Sequence, residues 1–324
     1  MVRMLVLRWD AAALALCLAV VLDIALGEPP PPIHPTVWMG RLIEIGYRFG
    51  RSLRPSMQKA WGVVLVVGVV AVFALAAYVL LQFVYGLFTE PLQILITAVL
   101  LKCTFSIRRM REYALDLASA VRRNDYAEAR SILRHIVRRD PATLTDTQVI
   151  SAGVETVAEG MGDGIASPLF YYALFGVPGA FAYRAINTLD SMVGYKDPEF
   201  LNLGWFSAKL DSLANWLPAR LASILMLLAG RLLGESASRG WRILLRDRNR
   251  TESWNAGWLM SAMAGLLGVR LEKPGFYTLG DPDQQLNYSH LTRAVRIMTA
   301  DTILFILALI PIILTVGWAI NVVR

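Results

Sequence analysis

Acidic and amide side chains recur at helical spacing through the middle of this 324-residue chain. Glu155 and Glu159 are four residues apart, which places them on one face of a helix beginning near Thr147. Asp163 follows after Gly160-Met161-Gly162, which reads as a break. Further on, Arg184, Asn187 and Asp190 recur at spacing three with Ser191 beside them, a shared face if that segment is helical. Asp211 and Asn215 form another four-residue pair, with Arg220 just beyond. Two chemistries fit these residues. One is a set of polar contacts between helices, Glu or Asp against Arg. The other is a site for a hard cation and phosphate, since Mg²⁺ takes carboxylate oxygens and bridges to substrate phosphates.

Other signatures are missing. None of the lysines follows a glycine, so no Walker A phosphate cradle exists. Gly176-Val-Pro-Gly179 is too short and proline-broken for a dinucleotide fingerprint. The histidines, His34, His135 and His290, lie far apart without metal-ligand spacing, and Cys17 and Cys103 are too few to staple a fold. His34 sits in Pro29-Pro-Pro-Pro-Ile-His-Pro35, where it either fixes a rigid turn or faces a ligand.

The elements that must position these groups are membrane-like. The chain is 56% hydrophobic and only 18% charged, against about 25% charged in soluble domains. No charge falls between Ala60 and Thr89 or between Thr302 and Val323, stretches long enough to cross a bilayer. Pro91–Leu101 reads as the return arm of a hairpin turned at Glu90-Pro91, completed if Lys102 snorkels. Ala11–Leu22 reads as a retained first span in preference to a cleaved signal peptide, because Asp23 interrupts it just before the cleavage-like Ala25-Leu26-Gly27. Gly164–Tyr183 is uncharged but broken by Pro168 and Gly176-Val-Pro-Gly179, and Leu221–Gly230 is too short to span alone; such broken segments at membrane depth line a cavity or are buried in protein. Residues 110–139 have amphipathic helical periodicity on both sides of Asn124-Asp125, giving a helical hairpin with an arginine-rich face. The fold expected is all-α: one polytopic membrane domain over 1–324 with about four or five membrane segments. Within it lie a cytoplasmic hairpin at 110–139 and an active-site segment at 150–220.

The net charge of +7 comes from arginines beside the apolar segments. That pattern marks cytoplasmic loops, so the reactive segment should face the cytoplasm, and no nucleic-acid partner is expected.

The residues carry a family resemblance. Asp23-x-x-x-Gly-Glu-Pro29, His34-Pro35 and Gly40-Arg41 resemble the opening of the CobD/CbiB family, the adenosylcobinamide-phosphate synthases of cobalamin biosynthesis. Glu155-Thr-Val-Ala-Glu159-Gly-Met-Gly-Asp163-Gly164, Pro168-Leu-Phe-Tyr171 and the run from Gly176 through Tyr183-Arg184-Ala-x-Asn187-Thr-Leu-Asp190-Ser191 to Tyr195 extend it. So do Asp211, Asn215, Pro218-Ala-Arg220, Asn255-Ala-Gly257 and Gly268-Val-Arg-Leu-Glu-Lys-Pro-Gly275. Glu28, Gly160 and Ser212 depart from the family's usual residues. The resemblance implies a multi-pass enzyme of the cytoplasmic membrane that uses ATP and Mg²⁺. It would join adenosylcobyric acid to (R)-1-amino-2-propanol phosphate, or a related amino-alcohol phosphate, through a new amide. Its setting allows contact with other membrane-bound enzymes of the late pathway. On this reading Glu155, Glu159, Asp163 and Asp190 include the Mg²⁺ ligands or the base. Arg184, Asn187, Ser191, Asp211, Asn215, Arg220 and His34 would bind substrate or phosphate. Gly164–Tyr183 and Leu213–Leu233 would be broken or re-entrant helices walling a corrinoid-sized cavity, with Tyr171, Tyr172, Tyr195, Trp205 and Trp216 either flat surfaces for the macrocycle or plain interfacial and core aromatics. The rival is a non-catalytic transporter or sensor of a corrinoid-like ligand, which uses broken helices and membrane-depth carboxylates equally well.

Overall fold

The structure, a computed structural model, describes residues 7–137 and 139–322, with side chains through residue 316. Arg138, inside the expected hairpin, and Val323, at the end of the expected last span, lie outside the described residues. In chain order the helices are α1 (Trp9–Leu26), α2 (Pro35–Arg51), α3 (Pro55–Leu87), α4 (Glu90–Lys102), α5 (Ile107–Arg122), α6 (Tyr126–Arg134) and α7 (Asp146–Gly160). A π-helical turn, Met161–Ala166, joins α7 to α8 (Ser167–Val193). Then come α9 (Trp205–Ala214), α10 (Trp216–Leu232), α11 (Ala237–Asp247), α12 (Ala256–Leu267), strands β1 (Leu271–Lys273) and β2 (Tyr277–Leu279), and α13 (Tyr288–Val322). Four helical stretches are long and apolar enough to cross a membrane: Trp9–Leu26, Pro55–Leu87, Asp146–Val193 and Tyr288–Val316. The interrupted pairs α4–α5 and α9–α10 raise the number to six if each counts as one span. The protein is thus a helical, multi-pass membrane protein.

The chain divides into two compact units. The first is built from the described residues of Met1–Ser106, Ser167–Ala214 and Ala308–Arg324. Here α3 lies along α8 and α9, α2 packs on both α3 and α8, and α1 packs on α4. Proline at the first turn starts α3, where its missing N–H leaves no bond unmade. Val64, Val67, Val72, Leu75, Val79 and Phe83 keep an apolar face of α3 exposed, as lipid contact requires. Gly62 lets α3 approach the 194–204 connection, because a Cβ there would meet the Leu203 carbonyl. Gly176 bends α8 at φ 66°, a left-handed value open to glycine. Lys102 does not snorkel: it is buried, and its ammonium donates to the Gly27 carbonyl. That bond ties the end of α4 to the loop after α1.

The second unit comprises Ile107–Ala166 and Asn215–Leu307. Helices α5 and α6 fold onto each other through Asn124, at φ 58°, and Asp125, whose carboxylate accepts the Glu128 N–H and caps α6. Both pack on α7, which opens with a Thr145/Gln148 capping box. Helix α12 is buried between α10, α11 and α7, its small residues allowing close approach: Gly265 abuts Gly240 of α11. The strands form an antiparallel hairpin pairing Leu271 with Leu279, Glu272 with Thr278 and Lys273 with Tyr277. Its inner end is fastened by buried Asp247, which accepts from Arg246 at 2.8 Å and from the Gly280 N–H at 2.8 Å. Burial alone would push the Asp247 carboxyl up. The bonds from Arg246 and Gly280, with the nearby charges of Arg246 and Arg250, instead hold it below the usual carboxylate range.

Candidate active site

The α7 face lies open to a cleft of about 370 Å³ in the second unit, within the size range of small-ligand pockets. Glu155, Glu159 and Asp163 all line it. The expected break before Asp163 does not occur. The chain stays helical through the π turn, so the acids follow one another at intervals of four along a continuous face. The glycines that suggested a break serve close packing: a Cβ on Gly160 would meet the Met110 thioether, and one on Gly162 the Leu259 side chain. Single π turns inside α-helices recur at functional sites.

Glu155 is the most enclosed of the three, only 5% exposed. Its Oε1 accepts from Ser151 Oγ at 2.6 Å, and its Oε2 from Tyr277 OH at 2.8 Å and Arg139 Nη2 at 3.2 Å. Ser151 in turn accepts the Glu272 N–H at 2.8 Å, and Gln148 Nε2 donates to Glu272 at 3.1 Å. These bonds clip the β-hairpin onto α7 and bring Lys273 and Tyr277 into the cleft. The Tyr277 phenol is driven far up from its ordinary value, first by burial and then by the Glu155 charge it faces. It is therefore a hydrogen-bond donor at any working pH. Arg139 Nη1 is buried and meets no acceptor among the described residues. Such an orphaned donor is costly unless an anion takes it. Arg139 and Lys273 thus supply positive charge beside the acids.

For a divalent cation the fit lies with Glu159 and Asp163. Glu159 is exposed and Asp163 half-buried, four residues apart on the cleft wall. Among the described residues no group of three or more His, Cys, Asp or Glu side chains is gathered for a metal.

The remaining expected residues divide between the units. In the first, Arg184, Asn187 and Asp190 share a half-buried face of α8, with Arg184 Nη1 donating to Asn187 Oδ1 at 3.2 Å. Arg184 Nε is buried without an acceptor among the described residues. Ser191 donates to the Thr188 carbonyl. His34 caps α2 by accepting the Thr36 N–H on Nδ1, and its Nε2 lies 2.6 Å from Glu28. Burial would raise the Glu28 carboxyl, but its bond to His34 and the Lys102 charge bring it below the ordinary value. Asp211 and Asn215 do not share a helix: α9 ends at Ala214, and Asn215 stands in the break before α10. Of the proposed flat surfaces, Tyr172 is buried with its hydroxyl on the Ala12 carbonyl, so it belongs to the core. In the second unit Arg220 lies between Trp216 and Trp258. Sequence reasoning missed Ser151, Arg139, Lys273 and Tyr277 as site residues. The one local signal was Lys273-Pro-Gly275 between Leu271 and Leu279, a hairpin pattern.

The family model described as CobD/Cbib protein matches residues 16–299. The probable cobalamin biosynthesis protein CobD of Methanothermobacter thermautotrophicus is 41% identical over 93% of this chain and 98% of its own length. The cobalamin biosynthesis protein CobD of Geobacter metallireducens is 39% identical over 95% of this chain and 99% of its own. The cobalamin biosynthesis protein CbiB of Salmonella typhimurium is 37% identical over 88% and 92%. No solved structure matches the chain.

Proposed function

This chain belongs to the CobD/CbiB family of cobalamin-biosynthesis proteins, and from that premise we propose that it is an ATP-dependent amide-forming ligase. It would join adenosylcobyric acid to (R)-1-amino-2-propanol phosphate, or a related amino-alcohol phosphate, giving adenosylcobinamide phosphate. The observation that carries this reading is the cleft itself. Three successive acids of α7 line it with Arg139 and Lys273, and a buried guanidinium donor is left for an anion.

A carboxylate does not condense with an amine unaided. In the proposed first step a corrinoid carboxylate oxygen attacks the γ-phosphorus of ATP, and the bond to the ADP oxygen breaks. The amine nitrogen of the second substrate then attacks the acyl carbon, the acyl–oxygen bond breaks, and inorganic phosphate leaves. The nitrogen gives up its proton to a carboxylate of the cleft. Such phosphoryl transfer rests mainly on positioning and charge neutralisation. Arg139, through Nη1, and Lys273 would bind phosphate oxygens, with Glu155 and Tyr277 fixing where Arg139 points. Between them Glu159 and Asp163 would supply a Mg²⁺ ligand and the base, and Mg²⁺ when bound would neutralise phosphate charge. Whichever of the two is not ligating serves as the base. On the family resemblance alone, Asp190 of α8 is proposed as a further metal ligand or base, and Arg184, Asn187 and Ser191 of α8, with Asp211, Asn215, Arg220 and His34, as further substrate or phosphate contacts. Cytosolic ATP requires the cleft to open toward the cytoplasm.

The test is purified protein in detergent supplied with ATP, Mg²⁺, adenosylcobyric acid and aminopropanol phosphate. Equimolar ADP and amide product supports the ligase. No amide here, with ATP-independent corrinoid flux in proteoliposomes, would replace it with the transporter reading.

A further inference from the structure

A second cationic cluster stands in the second unit, apart from the residues that line the acid cleft. Arg220, one turn into α10, has its guanidinium carbon 4.4 Å from the Trp216 ring centre and 4.8 Å from that of Trp258. Arg248, just beyond α11, has its own 4.7 Å from the same Trp258 ring. Two like charges are thus gathered on one indole. Cation–π contact engages a guanidinium through its π face and leaves its N–H donors for other partners. Arg220 spends Nη1 on the Trp216 carbonyl at 2.5 Å and on Asn255 Oδ1 at 3.1 Å. Buried Asn255 sits immediately before α12, so Arg220 is fixed in place. The Arg248 guanidinium donates to no protein acceptor among the described residues.

The charge is uncompensated as well. Among the described residues neither guanidinium has a carboxylate within ion-pairing distance, although Arg246 and Arg250 beside them both pair with Asp247. Trp258 lies in the first turn of the twelve-residue α12, whose N-terminal dipole adds positive potential at the same place. Trp216 and Trp254 are exposed, 49% and 65%, the disposition of tryptophans at a membrane–water boundary.

We propose that Arg220 and Arg248 form a binding site for a phosphate-ester anion, held between the two guanidinium edges beside Trp258. For a soluble monoester the site rests on the ligase reading, in which Arg220 is already a phosphate contact; Arg248 and the lipid source go beyond it. Two sources carry this chemistry, an anionic phospholipid headgroup at the boundary or a soluble phosphate monoester. Arginine suits both, since its fork of donors matches two oxygens of one phosphate.

The experiment has two arms on full-length protein in detergent. Native mass spectrometry measures retention of phosphatidylglycerol against phosphatidylcholine. Calorimetric titration with glycerol phosphate measures the soluble monoester. The wild type should retain phosphatidylglycerol selectively, or bind glycerol phosphate, and the arm that responds names the source. R220Q/R248Q should weaken that binding at least tenfold. R248Q alone, which leaves the Arg220–Trp216 packing in place, should weaken it severalfold without shifting the thermal transition. Binding should also fall as salt is raised. A wild type that prefers neither anion, or variants that bind as the wild type does, would overturn the proposal. Loss of amide formation with this anion binding intact would instead strike the ligase reading.

Discussion

Replacing Arg139 by Gln is the sharpest perturbation of the acid cleft. It removes the cationic partner of Glu155, leaving a carboxylate that is 5% exposed with only the Ser151 and Tyr277 hydroxyls. Breaking one side of a buried ion pair costs about 3–5 kcal/mol, because the remaining charge stays desolvated. Two neutral donors remain and the Arg139 side chain is 17% exposed, so the low end applies, about 3 kcal/mol. At roughly 2–4 °C per kcal/mol for a unit of this size, thermal unfolding in detergent should shift down by about 6 °C or more. The double substitution R139Q/E155Q removes the stranded charge and should recover about 2 kcal/mol of the loss, a coupling inside the range seen for directly contacting charges. Activity should not recover, because the donor aimed into the cleft is still gone. An R139Q transition within 1 °C of wild type would refute the buried pair, as would a double variant no more stable than R139Q.

Three further changes probe the frame around the site. Gly176→Ala forces a side chain onto a φ of 66° and should destabilise the first unit by about 1–2 kcal/mol, read as a lower unfolding temperature. His34→Ala removes the α2 cap and the partner of half-buried Glu28, and should cost about 1–2 kcal/mol. Asp247 gives a pH signature. Its native carboxyl titrates below the ordinary value, near 3.9, so its stabilisation is complete above that value and disappears as pH falls through the lower native one. Unfolding temperature against pH should therefore drop more steeply below about pH 4 in wild type than in D247N; parallel curves would show that Asp247 contributes nothing.

Much of the architecture can be read directly from residue order. Uncharged runs locate α3 and most of α13, and the Glu155/Glu159 spacing places both acids on the face that lines the cleft. Glycine misleads at Gly160-Met-Gly162 because it answers two demands with one residue. It serves turns, and it also lets elements approach closely. Here Met110 and Leu259 occupy the space, and the helix passes through as a π turn. Lys102 misleads for a related reason. A lysine near a helix end ordinarily snorkels, but the Gly27 carbonyl lies within its reach and keeps it buried. Arg139, Lys273 and Tyr277 stand more than a hundred residues apart along the chain at the extreme, so no local period connects them. Their meeting depends on the hairpin docking through Ser151 and Gln148. Tertiary hydrogen bonds of that kind leave no repeat in the sequence.

The central claim is that the acid face of α7 performs amide formation. Its most direct test is the turnover of Glu159→Gln and Asp163→Asn, each measured beside its unfolding temperature. Losing a charge that stabilises a phosphoryl-transfer transition state costs about 10²–10³ in rate. Both variants should therefore fall at least a hundredfold in the rate of ATP-dependent amide formation while unfolding with the wild type. Turnover at the wild-type level in both would contradict the account and move the chemistry away from this cleft.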